Sequence, residues 1–398
     1  MITRAITFLF AVYSAFSFSA STTVEVSAFY HEDAGFNASK EVVGFYRSLE
    51  QMNTLMAAKG VDMTFAPTYV GTFTSSEMSA STDVFDGRST MSGLDVSVQT
   101  KTNVGDLSVG IFSQGSGVVG NSQVTTDDTY VYETSLTRKV AIAGGYSLGR
   151  SDEYSATVLT IGHELFHAVG AAHDATGASV FNSSGSGRTD GFANTCANGY
   201  TSLMAENSVY TQLVNISLAG AGDCLGAGDV VDFINQYAAA VGAIQPSRNN
   251  RTLVVSAVEN VNTQSFDITV TRSNTASSET ITLYIAGGYN DTGLGLEPIT
   301  LAFSPSSASE TISVSFDDVY PLFEAAKDSV NSTYVVATGE NEVVAKTFDL
   351  LTINTLWTAQ AAETEHNVDN GSDSSSGGGS LGFGWAVVLL LAAALRKR

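Results

Sequence analysis

The sequence predicts two folded parts in series, an α+β domain over residues 21–245 and an all-β sandwich over residues 251–355. Three observations carry this reading. Before residue 245, segments with apolar residues at helical spacing alternate with short strand-like runs. From Arg251 onward the pattern changes to period two. Between them stands "PSRNN", beginning at Pro246, a polar stretch with the composition of a boundary.

In order, "FNASKEVVGFYRSLEQMNTLMAAKG" sets Val42, Phe45, Leu49, Met52, Leu55 and Met56 on one helical stripe, with Asn37 or Ser39 to cap its start and Gly60 to end it. "VDMTFAPTYVG" reads as a strand. Pro67 has no N–H to give to a ladder, which assigns it an irregular or terminal position. "LSVGIF" and "KVAIAGGY" are further strands. "SDEYSATVLTIGHELFHAVG" is a strong helix, capped by Ser151 and stopped by Gly170. "GAGDVVDFINQYAAAVG" is another, with Val230, Val231, Phe233, Ile234 and Tyr237 on its apolar side. Beyond Arg251 come seven alternating runs: "RTLVVSAVENV", "SFDITVTR", "ETITLYIAGG", "PITLAFSP", "ETISVSFDD", "TYVVATGE" and "KTFDLLTIN". Their number and spacing suit an immunoglobulin-like sandwich.

The chain of 398 residues carries 40 acidic against 18 basic residues, a net charge of −22. Nucleic acid needs a concentrated basic surface and is excluded as a partner. Such acidity suits a protein exposed to the medium and supplies carboxylates for Ca²⁺ sites. "MITRAITFLFAVYSAFSFSAS" has a basic start, a short apolar stretch and small residues, the pattern of a secretory signal peptide over residues 1–20. Export permits a disulfide between Cys196 and Cys224, a closure that contributes about 3 kcal/mol in the loop-entropy view.

At the other end, a Ser/Gly-rich linker over residues 356–380 leads into the uncharged stretch Leu381–Leu395 and then Arg396, Lys397 and Arg398. Fifteen uncharged residues are short for a permanent membrane span. The order of Gly run, short apolar segment and basic end resembles the GlyGly-CTERM sorting signal of Gram-negative bacteria. That resemblance implies transient anchoring of residues 381–398 in the inner membrane and cleavage by a rhomboid-type protease near Gly377–Gly379, followed by release to the surface or medium.

Three of the five histidines fall in "HELFHAVGAAHD", residues 163–174. His163 and His167 are four apart, about 400° round a helix and about 6 Å along it, so both imidazoles leave one face and reach one Zn²⁺. Glu164 lies about 100° round from His163, beside a metal rather than on it. His173 follows His167 by six positions, which on a continuing helix is about 240° away on the far side. Only a turn brings it back, and Gly170 stands where the turn is needed, because glycine accepts positive φ. Three protein ligands leave a position open, the mark of a catalytic zinc site. His31 and His366 read as ordinary surface histidines.

The pattern H-E-x-x-H-x-x-G-x-x-H resembles the metzincin zinc-peptidase motif. The resemblance covers about residues 24–245 and implies a mixed sheet with an active-site helix. Met204, in "GYTSLMAEN", matches the methionine of the family's Met-turn, and Asp174 after the third histidine resembles the reprolysin-like group. Glu206 stands where astacin- and serralysin-type sites carry tyrosine. No cysteine precedes Cys196, so the matrixin cysteine switch is absent. Phe166 occupies a place where the family favours a small glycine. The implied activity is endopeptidase hydrolysis of extracellular proteins or peptides by a monomeric secreted or surface enzyme, with Glu164 as general base on a zinc-bound water. The substrate would lie along an edge strand supplied by "SVGIF" or "SGVVG". A second reading is a surface adhesin in which an inactive peptidase-like domain accompanies a ligand-binding sandwich. The intact Glu164 favours the enzyme.

Overall fold

The computed structural model describes residues 21–32, 37–83, 86–87, 91, 104–112, 120–121, 141–145, 153–173, 191, 195–196, 204, 224–225, 230–244, 252–260, 262–287, 294–326, 333–339 and 351–352. The expected signal peptide, the 246–250 boundary, the linker and sorting segment, and Asp174 lie outside these residues, as does Ser151. The chain divides into a compact unit running to Asn354 and a second unit from Thr355, and every described residue belongs to the first. Among the described residues no helix is long and apolar enough to cross a membrane.

The first half is a mixed sheet covered by helices. Strands β1 (Thr22–His31), β2 (Met63–Phe73), β3 (Leu107–Phe112), β4 (Gly120–Asn121) and β5 (Ala141–Gly145) stand in the order β2-β1-β3-β5-β4. All pairs are parallel except β4 on β5. Pro67 sits where the β1–β2 register slips, Val26 facing Pro67 and Ser27 facing Tyr69, and β2 is an edge strand. Both places tolerate a missing N–H. The outer edge of β2 is partly covered by Asn53, whose side chain accepts from Phe65 N–H and donates to Phe65 C=O, both at 2.8 Å. It thus stands in for a neighbouring strand. "SVGIF" lies in β3, between β1 and β5, and cannot serve as an edge; the short antiparallel β4, which begins at the end of "SGVVG", is the edge opposite β2.

Helices α1 (Ala38–Ala58), α2 (Glu153–Val169) and α3 (Val230–Val241) share one core with the sheet. Val24, Val26 and Ala28 face this core from β1, while Phe29, on the alternate face, packs with Phe73, Phe112, Met78 and Met91 in a second cluster. Asn37 is the cap of α1, its Oδ1 accepting from Lys40 N–H at 2.9 Å, which is the N3 donor that such caps satisfy. His31 is buried rather than on the surface, with its Nε2 2.8 Å from the Met78 carbonyl.

The strand-rich half forms two antiparallel sheets. One is β11 (Leu294–Gly295), β10 (Glu279–Gly287), β14 (Thr333–Gly339) and β15 (Leu351–Thr352), with β12 (Ile299–Phe303) also on β10. The other is β13 (Ser309–Ser315), β9 (Ser265–Arg272) and β8 (Leu253–Asn260). A buried ion pair, Arg272 to Glu279 at 3.3 Å, joins a strand of one to a strand of the other. The run "ETISVSFDD" does not finish as a strand: helix α4 (Phe316–Ala326) begins inside it. Ser315 Oγ accepts from Asp317 N–H at 3.1 Å, Asp317 and Asp318 favour the positive end of the helix, and Phe316, Val319 and Leu322 are buried three apart.

Helix α1 joins the two halves. Its sequence suggests an amphipathic helix with one wet face, yet every residue from Ser39 to Leu49 is buried, including Lys40, Glu41 and Arg47. The reason is a second partner, because β10 and β14 pack against α1 in addition to the mixed sheet. Tyr284, Ala286, Tyr334 and Val336 belong to the same core as Val42 and Phe45. The Arg47 guanidinium lies 4.1 Å from the Tyr334 ring centroid, and Asn37 Nδ2 donates to Gly295 C=O at 2.7 Å. Burial pushes the hydroxyl pKa of Tyr30 up, aided by the hydrogen bond with Tyr284, and burial does the same to Tyr46.

Candidate metal centre

The centre is built at the end of α2. Gly162, one residue before His163, lets α1 approach closely: a Cβ there would stand 2.1 Å from Met52 Sδ. Ile161, Leu165, Phe166 and Val169 turn into the common core, which orients the helix about its axis. Phe166 is fully buried, its ring 6.3 Å from that of Phe65, so the large residue fills core space.

The helix ends where glycine predicts. Gly170 has φ +115, its N–H donates to His167 C=O at 2.9 Å, and Ala171 N–H donates to Phe166 C=O at 2.9 Å. These two bonds are a Schellman turn, which satisfies the last helical carbonyls and reverses the chain. Ala172 N–H then donates to Gly191 C=O at 2.8 Å. His173 comes immediately after, and the turn returns it to the face that His163 and His167 share.

The three imidazoles converge through their Nε2 atoms. His173 Nε2 lies 3.0 Å from His163 Nε2 and 2.9 Å from His167 Nε2. His163 and His167 are buried, and His173 is half-buried. The His167 Nδ1 is 2.6 Å from the Ala171 carbonyl. A carbonyl only accepts, so Nδ1 carries the hydrogen and Nε2 presents a lone pair to the centre. Burial, together with the neighbouring His163, lowers the His167 pKa to about 3, against the Ala171 hydrogen bond, which raises it. The ring is therefore neutral, the form that binds metal.

This donor set fits a metal. Nitrogen ligands at about 2.0–2.1 Å in tetrahedral array stand about 3.3 Å from one another, close to the spacings here. A hydrogen on His173 Nε2 serves only one of its two short approaches well, whereas a cation serves all three lone pairs. Among the described residues this triad is the group of three or more His, Cys, Asp or Glu placed to hold a metal ion, and no carboxylate cluster for Ca²⁺ accompanies it. Glu164 is buried on α2 beside His163, with 6% of its surface exposed. Met204 is fully buried in the core that holds Leu165 and Val169.

Strand pairing sets Cys196 directly opposite Cys224, in β6 (Thr195–Cys196) and β7 (Cys224–Leu225). Facing residues of an antiparallel pair have Cα atoms about 4.5–5.5 Å apart, within the span of a disulfide. The contributions of the Ala171 carbonyl, Gly162 and Gly191 are not visible in the motif. Gly191 shows a signal only in three dimensions, through its partner 19 positions away.

No family model and no curated protein matches the chain. Solved structures similar to it include metalloproteinase-II from Bacteroides fragilis, 13% identical, with a TM-score of 0.26 over 39% of this chain and 44% of that one. The chain thus spans less than half the length of that protein. OgpA from Akkermansia muciniphila is 8% identical, with a TM-score of 0.29 over 84% of this chain and 94% of that one. A catalytically inactive OgpA in complex with an O-glycopeptide substrate is also 8% identical, with a TM-score of 0.26 over the same shares.

Proposed function

We propose that the chain is a zinc-dependent endopeptidase of metzincin type, secreted or held at the surface of a Gram-negative cell. The observation that carries this reading is the convergence of His163, His167 and His173 through one glycine turn, with an acid beside them on the same helix. A zinc ion bound there would act as a Lewis acid and ease the deprotonation of water. The rest falls to the chain's own residues. His167 is held as a neutral donor by Ala171. Glu164, buried beside the ligands, takes the proton of the attacking water and passes it to the leaving amine, a role typically worth about 10²–10⁴ in rate. The antiparallel edge strand β4 offers backbone groups along which an extended peptide can lie.

In this reading Met204 supplies the Met-turn beneath the ligands, Asp174 marks a reprolysin-like site, and a Cys196–Cys224 bridge pins the segment between them. The two antiparallel sheets form a sandwich carried by the enzyme. The signal peptide and the transient C-terminal anchor account for export, and the released enzyme acts as a monomer on extracellular proteins.

The test is to purify the full chain, measure bound zinc, and assay casein or gelatin cleavage with and without a chelator. We expect about one zinc per chain and cleavage that the chelator abolishes. Glu164→Ala should retain zinc and lose cleavage. Wild-type cleavage by that variant, or cleavage indifferent to chelation, would refute the zinc–Glu164 mechanism, and zinc binding with no cleavage of any substrate would leave a binding protein as the better account.

A further inference from the structure

We infer that Gly191 is the positioning residue for the third ligand. The inference rests on the metal-centre reading and extends it to a residue outside the histidine motif. After the turn at Gly170, two bonds help to hold the chain that presents His173. One comes from within the centre, His167 Nδ1–H to Ala171 C=O at 2.6 Å. The other comes from outside, Ala172 N–H to Gly191 C=O at 2.8 Å. Of these two, only the second ties the segment to a part of the molecule beyond the motif. Ala171 and Ala172 are buried, so the bond is shielded from water that could replace it.

The carbonyl at 191 can stand there only because the residue is glycine. Its φ is +72, in the left-handed region that disfavours a side chain. A Cβ would also lie 2.7 Å from Cγ, 2.8 Å from Cδ2 and 3.0 Å from Cδ1 of Phe233. That ring cannot retreat. It is 2% exposed on α3 and packed on Tyr237 with ring centroids 4.7 Å apart. A side chain at 191 therefore moves the Gly191 backbone, and with it the anchor of Ala172 and the position of His173. The core helix α3 thus sets the third ligand through a single glycine.

The experiment uses the full chain with zinc and cobalt(II) as probe metals. Gly191→Ala should weaken zinc by at least about tenfold, as loss of an outer partner of a ligand does, and should change the intensity of the cobalt d–d bands. The far-UV circular dichroism of the metal-free protein should stay the same. His173→Ala is then made in both backgrounds. A residue that acts through His173 has nothing left to lose there, so Gly191→Ala should cost no further affinity. Zinc binding equal to wild type in Gly191→Ala, or a full additional loss in the His173→Ala background, overturns the inference. Should Gly191→Ala fail to fold, it is combined with Phe233→Leu and compared with Phe233→Leu alone. The ring's opposition is then relieved but the left-handed strain at φ +72 remains, so a smaller loss of zinc affinity is expected that again vanishes in the His173→Ala background, and no loss overturns the inference. Equal zinc binding by wild type and His173→Ala would instead sink the metal-centre reading itself, and the positioning role with it.

Discussion

Helices α1 and α2 end in the same turn. At Gly60, φ is +73, Gly60 N–H donates to Ala57 C=O and Val61 N–H donates to Met56 C=O. At Gly170 the same pair of bonds recurs one helix later. Past the glycine the two exits differ. The chain leaving α1 is tied many times over: Asn235 holds both Asp62 N–H and Gly60 C=O, Asp62 C=O accepts from Thr22, and the β1–β2 ladder begins at Met63. The chain leaving α2 is tied to the Gly191 carbonyl and to the His167 ring. A turn conformation thus carries no function of its own. What differs is the residue delivered after it and what holds the chain that delivers it.

The largest effect is expected at the turn that delivers His173. Gly170→Ala should cost the metal-free protein about 1–2 kcal/mol for the left-handed backbone. It should also lower zinc affinity by about 10- to 100-fold, because His173 is displaced from its partners. Chelator competition and chemical unfolding of the metal-free chain separate the two. Zinc affinity equal to wild type would mean that the turn ends the helix without serving the ligand.

Next comes the segment that carries Gly191. It continues into β6, and Cys196 faces Cys224 across the β6–β7 pair. A bridge there would give the exit from α2 a covalent tie that the exit from α1 does not need. Alkylation of the unfolded chain without reductant should modify neither cysteine, and reduction should cost about 3 kcal/mol. Modification of both would leave the Gly191 carbonyl and Phe233 as the main restraint on this segment.

How much the sequence reveals depends on the reach of the physics involved. His163, Glu164, His167, Gly170 and His173 span eleven positions, so helix geometry and one glycine turn relate them, and the structure brings the three rings together. The stripe of α1 is equally legible, since Val42, Phe45 and Leu49 declare their face by spacing. The burial of its other face is not. It depends on β10 and β14, more than 200 positions downstream, and Lys40, Glu41 and Arg47 announce solvent to any local reading. The burial of His31 is hidden for the same reason, since its partner Met78 lies 47 positions away. Helix α4 is legible in principle: Phe316, Val319 and Leu322 repeat at three and the two aspartates start a first turn, but the alternation of the preceding strand runs into them and hides the change of period. Gly191 leaves no mark, because glycine's meaning there is the absence of a Cβ against a ring on another helix.

The smallest expected effect is the sharpest control on the comparison. A Cβ at Gly60 would meet nothing within 4 Å, so Gly60→Ala carries a backbone cost and no steric one, about 1 kcal/mol. Thermal unfolding should move down by a few degrees at most. Zinc affinity and cleavage should not change, because Asn235 and the β1–β2 ladder hold the exit of α1 whatever the turn prefers. A loss of zinc affinity in Gly60→Ala would show that strain at the end of α1 reaches α2, most directly through the close approach of Met52 to Gly162. The two turns would then not be independent, and the selectivity assigned to Gly170 would belong to the α1–α2 pair as a whole.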